Sequence, residues 1–201
     1  KLLKQFSSKG LKNGKKSLVV EQNPENKNNV IIYRSKNQEG GIEFSYSFWL
    51  LVEDTSFRSD KMKHIFHKGD SKANISYTPA VWLKPKENII RINMNTINEK
   101  DNIIDIDNIP VDKWFHISIV VKQKTVNIYF NGKIKRSKML LSVPRQNFGN
   151  FWVNLYGGFD GYISQLQYHN RAISYSEVEN IVSEGPSTES IKSPELKPPY
   201  L

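Results

Sequence analysis

The sequence contains no cysteine. This absence excludes a disulfide framework, a thiolate metal site and a cysteine nucleophile. The sequence also lacks the apolar run of roughly 18 or more residues that a membrane-spanning helix needs, so we predict no such helix. The chain begins at Lys1 rather than at methionine, and we expect a fragment or a processed product, with room for a signal or anchor upstream of Lys1.

Acidic residues are scarce in two segments of a basic chain. The 29 Lys and Arg against 20 Asp and Glu give a net charge of +9. Residues 1–16 hold six lysines and no acid, and residues 113–159 hold eight basic residues and no acid. Such an excess makes nucleic acid, anionic membranes and acidic polymers possible partners. Residues 1–16 are also rich in Gly and Ser, and we expect a flexible basic arm that contacts an anionic membrane surface.

Short apolar runs separated by turn residues dominate the rest of the chain. The run at 42–50, IEFSYSFWL, alternates apolar and small polar residues, which is the period of a strand with one buried face. Asn131-Gly132 lies between two such runs and predicts a tight hairpin. About a dozen predicted strands indicate an all-β fold, a two-sheet antiparallel β-sandwich or jelly roll.

One short helix is predicted near the C-terminus. Ser174 and Glu177 form an S-x-x-E capping box, and Gly185-Pro186 is a stop signal. We place the β-sandwich domain at residues 17–185 and expect an extended Pro/Ser-rich tail over residues 186–201.

Catalytic and metal-binding patterns are weak. A glycosidase needs two carboxylates, one with a raised pKa, and Asp105 with Asp107 is the nearest candidate pair. His64 and His67 are three residues apart, which in a strand places them on opposite faces, where they cannot share a metal ion. His116 has no acid spaced to orient it. We therefore predict no catalytic residue and no metal site.

Two groups of residues are candidates for binding. Lys133, Lys135 and Arg136 follow the predicted turn and indicate either an anion-binding surface or charges that protect a sheet edge from aggregation. Few aromatic residues accompany them, so specific nucleic-acid recognition is not expected.

The second group combines aromatic and amide side chains, which suit a sugar because rings contact its apolar face and amides bond its hydroxyls. The open alternative is that its tryptophans belong to the core. Its members are Trp82, Asn93, Asn95, Trp152 and Asn154.

Three segments resemble the LamG-type, concanavalin A-like lectin/glucanase jelly roll. They are PVDKWFHISIVV (110–121), VNIYFNGK (126–133) and GFDGYISQLQYHNRAISYSEV (158–178), with IEFSYSFWLLVE upstream, so that the resemblance covers about residues 42–183. It implies binding of glycans or proteins, and calcium at the sandwich rim in some members. Only the loop residues Asp70 and Asp160 are candidates for calcium, so we predict no cofactor. The E-x-D-x-x-E pattern of the glucanases is missing.

A narrower resemblance, carried by NIPVDKW, FNGK and GGFDG, is to uncharacterised LamG-type proteins of large (giant) DNA viruses. Together these features predict a non-enzymatic binding or structural module, virion- or membrane-associated, with a glycan or a capsid or membrane protein as partner. The alternatives are a glycoside hydrolase or lyase on the same fold, and a purely structural capsid- or membrane-associated protein that binds no sugar.

Overall fold

The computed structural model describes residues 7–20, 22, 31–33, 41–71, 76–98 and 102–187. These residues form twelve strands, one 3-10 turn at Leu155–Gly157 and one α-helix, α1, at Tyr175–Glu184. The strands are β1 Ser7–Asn13, β2 Leu18–Val20, β3 Glu43–Asp54, β4 Lys63–Gly69, β5 Tyr77–Leu83, β6 Ile90–Met94, β7 Asn102–Ile106, β8 Phe115–Lys122, β9 Thr125–Phe130, β10 Lys133–Met139, β11 Asn150–Val153 and β12 Asp160–His169. No helix in this described part of the chain has both the length and the apolarity to cross a membrane.

The strands form two six-stranded antiparallel sheets packed face to face. The first sheet has the order β1-β12-β3-β8-β9-β10 and the second has the order β2-β11-β4-β5-β6-β7. Alternate side chains of each sheet point inward and form one hydrophobic core. Phe44, Tyr46, Phe48 and Leu50 of β3 lie in that core, as the alternating pattern predicts. The predicted all-β sandwich with one short C-terminal helix is confirmed.

The hairpin turn and the C-terminal helix form where their sequence motifs predict them. Asn131 and Gly132 have φ angles of 46° and 84°, and they join β9 to β10. The Ser174 hydroxyl accepts a hydrogen bond from the Glu177 backbone N–H, and the Glu177 carboxylate accepts one from the Ser174 backbone N–H, so the capping box is complete. Val178 of α1 packs with Val120 and Tyr129 on the outer face of the first sheet.

The flexible arm predicted for residues 1–16 is wrong for residues 7–13. These residues form β1, which pairs antiparallel with β12 at the edge of the first sheet. Backbone hydrogen bonds to β12 hold this strand, and that interaction leaves little trace in the apolar pattern from which strands are read. Residues 1–6 and 188–201, which include most of the predicted extended tail, lie outside the described residues.

Candidate functional site

The outer face of the second sheet carries a group of rings that we call the aromatic cluster: His64, His67, Trp82, Trp152 and Tyr156. Cross-strand pairing builds the cluster, because Trp152 of β11 lies opposite His67 of β4, and His64 of β4 lies opposite Trp82 of β5. The two tryptophans therefore flank the histidines. Both tryptophans are partly exposed, so they are surface residues of the sheet rather than core residues.

The two histidines lie on the same face, contrary to the prediction from their spacing. The pairing of β4 with β5 shifts its register between His64 and Phe66, which marks a β-bulge. A bulge adds one residue to a strand and so reverses which face the following side chains occupy. The ring centroids of His64 and His67 are consequently 4.9 Å apart, and His64 Nε2 lies 2.7 Å from His67 Nδ1.

A chain of hydrogen bonds fixes the protonation of both rings. The Leu155 backbone N–H donates to His64 Nδ1 over 3.0 Å, so the ring proton of His64 must lie on Nε2 and point at His67 Nδ1. His67 then carries its proton on Nε2 and donates it to the Asp70 carbonyl oxygen over 2.7 Å. Both imidazoles are neutral, and every ring nitrogen is occupied.

Burial reinforces the neutral state of the pair. Desolvation lowers the pKa of His64 to about 2, with the neighbouring His67 ring adding to the shift. Burial also lowers the pKa of His67, although its bond to Asp70 opposes the change. Among the described residues, no group of three or more potential metal ligands comes together. The pair is therefore arranged to support the neighbouring rings rather than to titrate near neutral pH.

The rings offer flat surfaces beside polar edges. Trp82 and Tyr156 are nearly parallel, with ring centroids 6.2 Å apart and planes 7° apart, while the His64 ring meets Trp82 edge-on at 4.7 Å. Trp152 stacks on His67 at 6.2 Å and donates its indole N–H to the Gly69 carbonyl oxygen over 3.0 Å. Hydrogen bonding and stacking therefore fix the orientation of these rings before any ligand arrives.

Tyr156 was not among the binding residues predicted from the sequence. It lies in the 3-10 turn after β11, with a φ of 55°, a left-handed conformation that is uncommon for a bulky residue. Its hydroxyl donates to the Ser71 carbonyl oxygen over 3.2 Å, and its side chain remains 49% exposed. The only sequence signal nearby is Gly157-Gly158, which marks a strand end but does not indicate where the ring lies.

The three predicted asparagines have different environments. Asn93 of β6 lies opposite Ala80, which lies opposite His67, so Asn93 continues the cross-strand row that contains Trp152. Its side-chain oxygen is buried and has no hydrogen-bond partner among the described residues. Asn93 thus lies beside the aromatic cluster with its amide oxygen turned away from solvent.

Asn95 and Asn154 do not join this surface. Asn95 is 4% exposed and Asn154 is 1% exposed. The Asn154 amide donates to the carbonyl oxygens of Asn13 and Lys16, over 3.1 and 3.2 Å, and so anchors the turn that follows β1. The alternation that places Asn154 beside Trp152 does not predict this, because Asn154 leaves the strand with a φ of 54°.

Both carboxylates of the candidate catalytic pair, Asp105 and Asp107, form ion pairs with basic side chains. Asp105 receives two hydrogen bonds from the Arg91 guanidinium, of 2.9 and 2.7 Å, and these lower the pKa of its carboxyl. The pKa of Asp107 is lowered first by a backbone hydrogen bond within its own residue and then by Arg136 and Lys135. A glycosidase acid needs the opposite shift, so this pair lacks the electrostatics of an acid/base dyad.

The predicted anion surface is largely neutralised. Arg136 and Lys135 lie 2.7 and 3.6 Å from the same oxygen of Asp107, while Lys133 is exposed and forms no ion pair within the described part of the chain. All three belong to β10, which is an edge strand of the first sheet. This arrangement favours the protection of a sheet edge over anion binding.

Asp70 and Asp160, the two candidates for calcium, are not arranged as metal ligands. The Asp160 carboxylate forms an ion pair with Lys15 over 2.7 Å. The Asp70 carbonyl oxygen is used by His67, and the Asp70 residue is exposed. These residues do not form a coordination shell with other described acids.

Two antiparallel sheets, a shared core and a short helix on one outer face define a concanavalin A-like β-sandwich domain. A family model for the concanavalin A-like lectin/glucanases superfamily, of laminin G type, matches residues 24–179. The chain therefore belongs to this superfamily. A search of curated proteins gave no significant sequence match.

Solved structures with the same fold include receptor-binding domains of botulinum neurotoxins. The domain from neurotoxin D superposes with a TM-score of 0.64 at 15% identity, covering 90% of this chain and 44% of that chain. The binding domain of serotype G gives 0.62 at 19% identity, covering 87% and 46%. The C/D mosaic domain gives 0.59 at 17% identity, covering 72% and 36%. This chain thus spans less than half the length of each of these domains, and the likeness is one of fold.

Proposed function

We propose that this chain is a non-catalytic glycan-binding module and that the aromatic cluster, with Asn93, is its binding face. The observation that carries the proposal is the pair of nearly parallel rings of Trp82 and Tyr156, both of which keep part of their surface exposed to solvent. Flat rings take the apolar face of a sugar, and amide or carbonyl groups at the edge take its hydroxyls. Solved structures with this fold include neurotoxin receptor-binding domains, which is in keeping with a binding role.

A glycan array, run with and without calcium, tests this proposal. We expect the protein to bind a defined set of neutral glycan structures. Calcium should not be required, because neither Asp70 nor Asp160 has the surroundings of a calcium site. An array on which no glycan binds would contradict the proposal and favour a protein partner.

A matched pair of variants locates the binding face. Tyr156→Ala removes a ring of the cluster that is 49% exposed, and Tyr175→Ala removes a ring of α1 that is 50% exposed, over the opposite sheet. We expect Tyr156→Ala to weaken binding of the best array glycan about tenfold, which corresponds to the loss of about 1.4 kcal/mol of ring contact. Tyr175→Ala should bind as the wild type does. Equal effects of the two substitutions would place the site elsewhere.

The hydrolase alternative has a direct test. We expect no cleavage of polysaccharides by the wild-type protein, because the Asp105 and Asp107 carboxyls are both held ionised. Cleavage by the wild type that is lost in an Asp105→Asn, Asp107→Asn double variant would overturn the non-catalytic proposal.

We propose separately that the module is associated with a virion or a membrane. Association with a virion or a membrane is supported by the sequence resemblance to proteins of large DNA viruses and by the six lysines of residues 1–16. We expect salt-sensitive binding to vesicles that contain anionic lipids, because each lysine near such a surface contributes about 1 kcal/mol. Equal binding to neutral and anionic vesicles would contradict membrane contact by this segment.

A further inference from the structure

Apolar side chains are grouped in contact with water at one end of the sandwich, and we call them the apolar rim: Ile97, Met139, Leu141 and Val143. Met139 ends β10 and Leu141 begins the connection to β11; they are 75% and 78% exposed, while Leu140 between them is buried. Ile97 is 66% exposed, and its backbone N–H donates to the Val143 carbonyl oxygen over 3.0 Å. Single exposed apolar residues are common on proteins, but a contiguous group of them indicates an interaction surface.

Two basic residues lie beside the apolar rim. The Lys124 carbonyl oxygen accepts a hydrogen bond from the Leu140 N–H over 2.8 Å, and the Arg145 backbone N–H donates to the Asn95 carbonyl oxygen over 2.8 Å. Both basic residues are exposed, and neither forms an ion pair with a described acid. Residues 113–159, which include both of them, contain no acid. The rim therefore combines apolar surface with uncompensated positive charge.

The described chain also begins at this end of the sandwich. Ser7, the first residue of β1, lies opposite Gln167 near the end of β12, and the end of β12 lies opposite the start of β3. The start of β3 pairs with the end of β8, and Lys124 follows in the turn to β9. The residues before Ser7, which lie outside the described ranges, therefore join the sandwich at the end that carries the rim.

These features fit the surface of an anionic bilayer. Exposed Met and Leu side chains enter the boundary between headgroups and acyl chains, while the long side chains of Lys and Arg reach the lipid phosphates. A second copy of the chain fits less well, because a two-fold interface would bring Lys124 and Arg145 against their own counterparts, and like charges repel. A protein partner is the alternative that the test must separate.

We propose that the apolar rim inserts into the interfacial region of a bilayer that contains anionic lipids, with Lys124 and Arg145 contacting the headgroups. Insertion of this kind reaches about 5–10 Å into the boundary between headgroups and acyl chains. The inference does not depend on glycan binding by the aromatic cluster, which lies on the outer face of the second sheet. It also goes beyond the contact proposed for residues 1–16, because it assigns apolar insertion to folded residues.

Cosedimentation with vesicles of phosphatidylcholine, with and without phosphatidylserine, tests the contribution of the apolar side chains. We expect the wild type to prefer the vesicles with phosphatidylserine, and Leu141→Ser to weaken that binding about tenfold because a partly inserted side chain is lost. Ile134→Ser is the matched control, since Ile134 is 57% exposed at the opposite end of β10, and it should bind as the wild type does. Met139→Ser provides the same test if Leu141→Ser fails to fold.

The charges have their own matched variants. Lys124→Gln and Arg145→Gln should each weaken binding about fivefold, the equivalent of about 1 kcal/mol for each basic residue at an anionic surface. Lys133→Gln removes an exposed charge at the far end of β10 and should have little effect.

A fluorescent label distinguishes insertion from simple electrostatic adsorption. Because the chain has no cysteine, Leu141→Cys provides a single site for an environment-sensitive dye. We expect its emission to shift to the blue and to gain intensity on vesicles with phosphatidylserine. The same dye on Ile134→Cys should keep the emission that it has in water.

Four results would overturn the inference. They are no binding of the wild type to either vesicle, equal binding to both vesicles, equal effects of Leu141→Ser and Ile134→Ser, and no spectral shift of the label at position 141 on vesicles that hold the protein. The first of these would favour a protein partner for the rim. Leu141→Ser should bind the best array glycan as the wild type does, and Tyr156→Ala should bind vesicles normally, so failure of one proposal is distinguishable from failure of the other.

Discussion

Four buried or half-buried histidines should make this protein unusually sensitive to mild acid. Burial lowers the pKa of His64 to about 2 and that of His116 to about 4, and it also lowers the pKa of His67 and of His169. In the unfolded chain each histidine has a pKa near 6.5. Below about pH 6.5 the unfolded state therefore binds protons that the folded state cannot bind, and stability falls as the pH falls.

The size of the effect follows from the two histidines with the largest shifts. At pH 5 the unfolded chain is protonated at both His64 and His116, while the folded protein is almost unprotonated at either. Each costs about 2 kcal/mol relative to pH 7.5, since 1.5 pH units at about 1.4 kcal/mol per unit separate pH 5 from 6.5. The two together cost about 4 kcal/mol, a large part of the 5–15 kcal/mol by which a typical domain is stable.

Urea unfolding followed by tryptophan fluorescence at pH 7.5, 6.5 and 5.0 measures this directly. His116→Gln should reduce the loss of stability between pH 7.5 and pH 5 by about 2 kcal/mol, whatever its effect at pH 7.5. Lys133→Gln, which removes an exposed charge, should keep the wild-type dependence on pH. A free energy of unfolding that stays constant from pH 7.5 to pH 5, or a His116→Gln variant with the wild-type dependence, would refute the reasoning.

Two further predictions concern stability. Gly161→Ala would place a Cβ 1.9 Å from the Leu51 carbonyl oxygen at a φ of 141°, so we expect a loss of more than about 2 kcal/mol in urea unfolding. Gly185→Ala, with a φ of 71°, a ψ of 177° and nothing within 4 Å of the added Cβ, should lose less than Gly161→Ala, about 1–3 kcal/mol, from backbone strain alone; equal losses would show that the contact with Leu51 is unimportant. Ser174→Ala should lower stability by about 1 kcal/mol in thermal unfolding, because it removes the cap shared with Glu177, and an unchanged melting temperature would contradict that role.

The fold could be predicted because its signals are local. The apolar alternation in β3, the Asn131-Gly132 turn and the capping box each depend on residues close in sequence, and each appears in the structure as predicted. The edge strand β1 was missed because an edge strand is held by backbone pairing, which any residue except proline can make.

The site was only partly predictable, because one irregularity in β4 determines it. Trp82 and Trp152 could be selected as aromatic residues of strands, and Asn93 as an amide on a strand face. The bulge that brings His64 and His67 together has no local sequence signature, and Tyr156 reaches the cluster through a left-handed turn residue. Both features depend on contacts between strands that are distant in sequence.

The two outer faces of the sandwich differ in how far other parts of the chain cover them. On the first sheet, α1 packs against Val120 and Tyr129, and the chain after the helix passes over Ser164, whose hydroxyl donates to the Ser187 carbonyl oxygen over 2.8 Å. Polar residues of that face are consequently buried, as with the Ser47 hydroxyl, which is hydrogen-bonded to His116 over 2.7 Å. On the second sheet no described helix covers the outer face, and large rings there keep part of their surface in contact with solvent. Partly exposed rings leave apolar surface in contact with water, and contact with the apolar face of a sugar ring would remove part of that surface from water. This asymmetry favours the outer face of the second sheet, rather than that of the first, as the recognition surface.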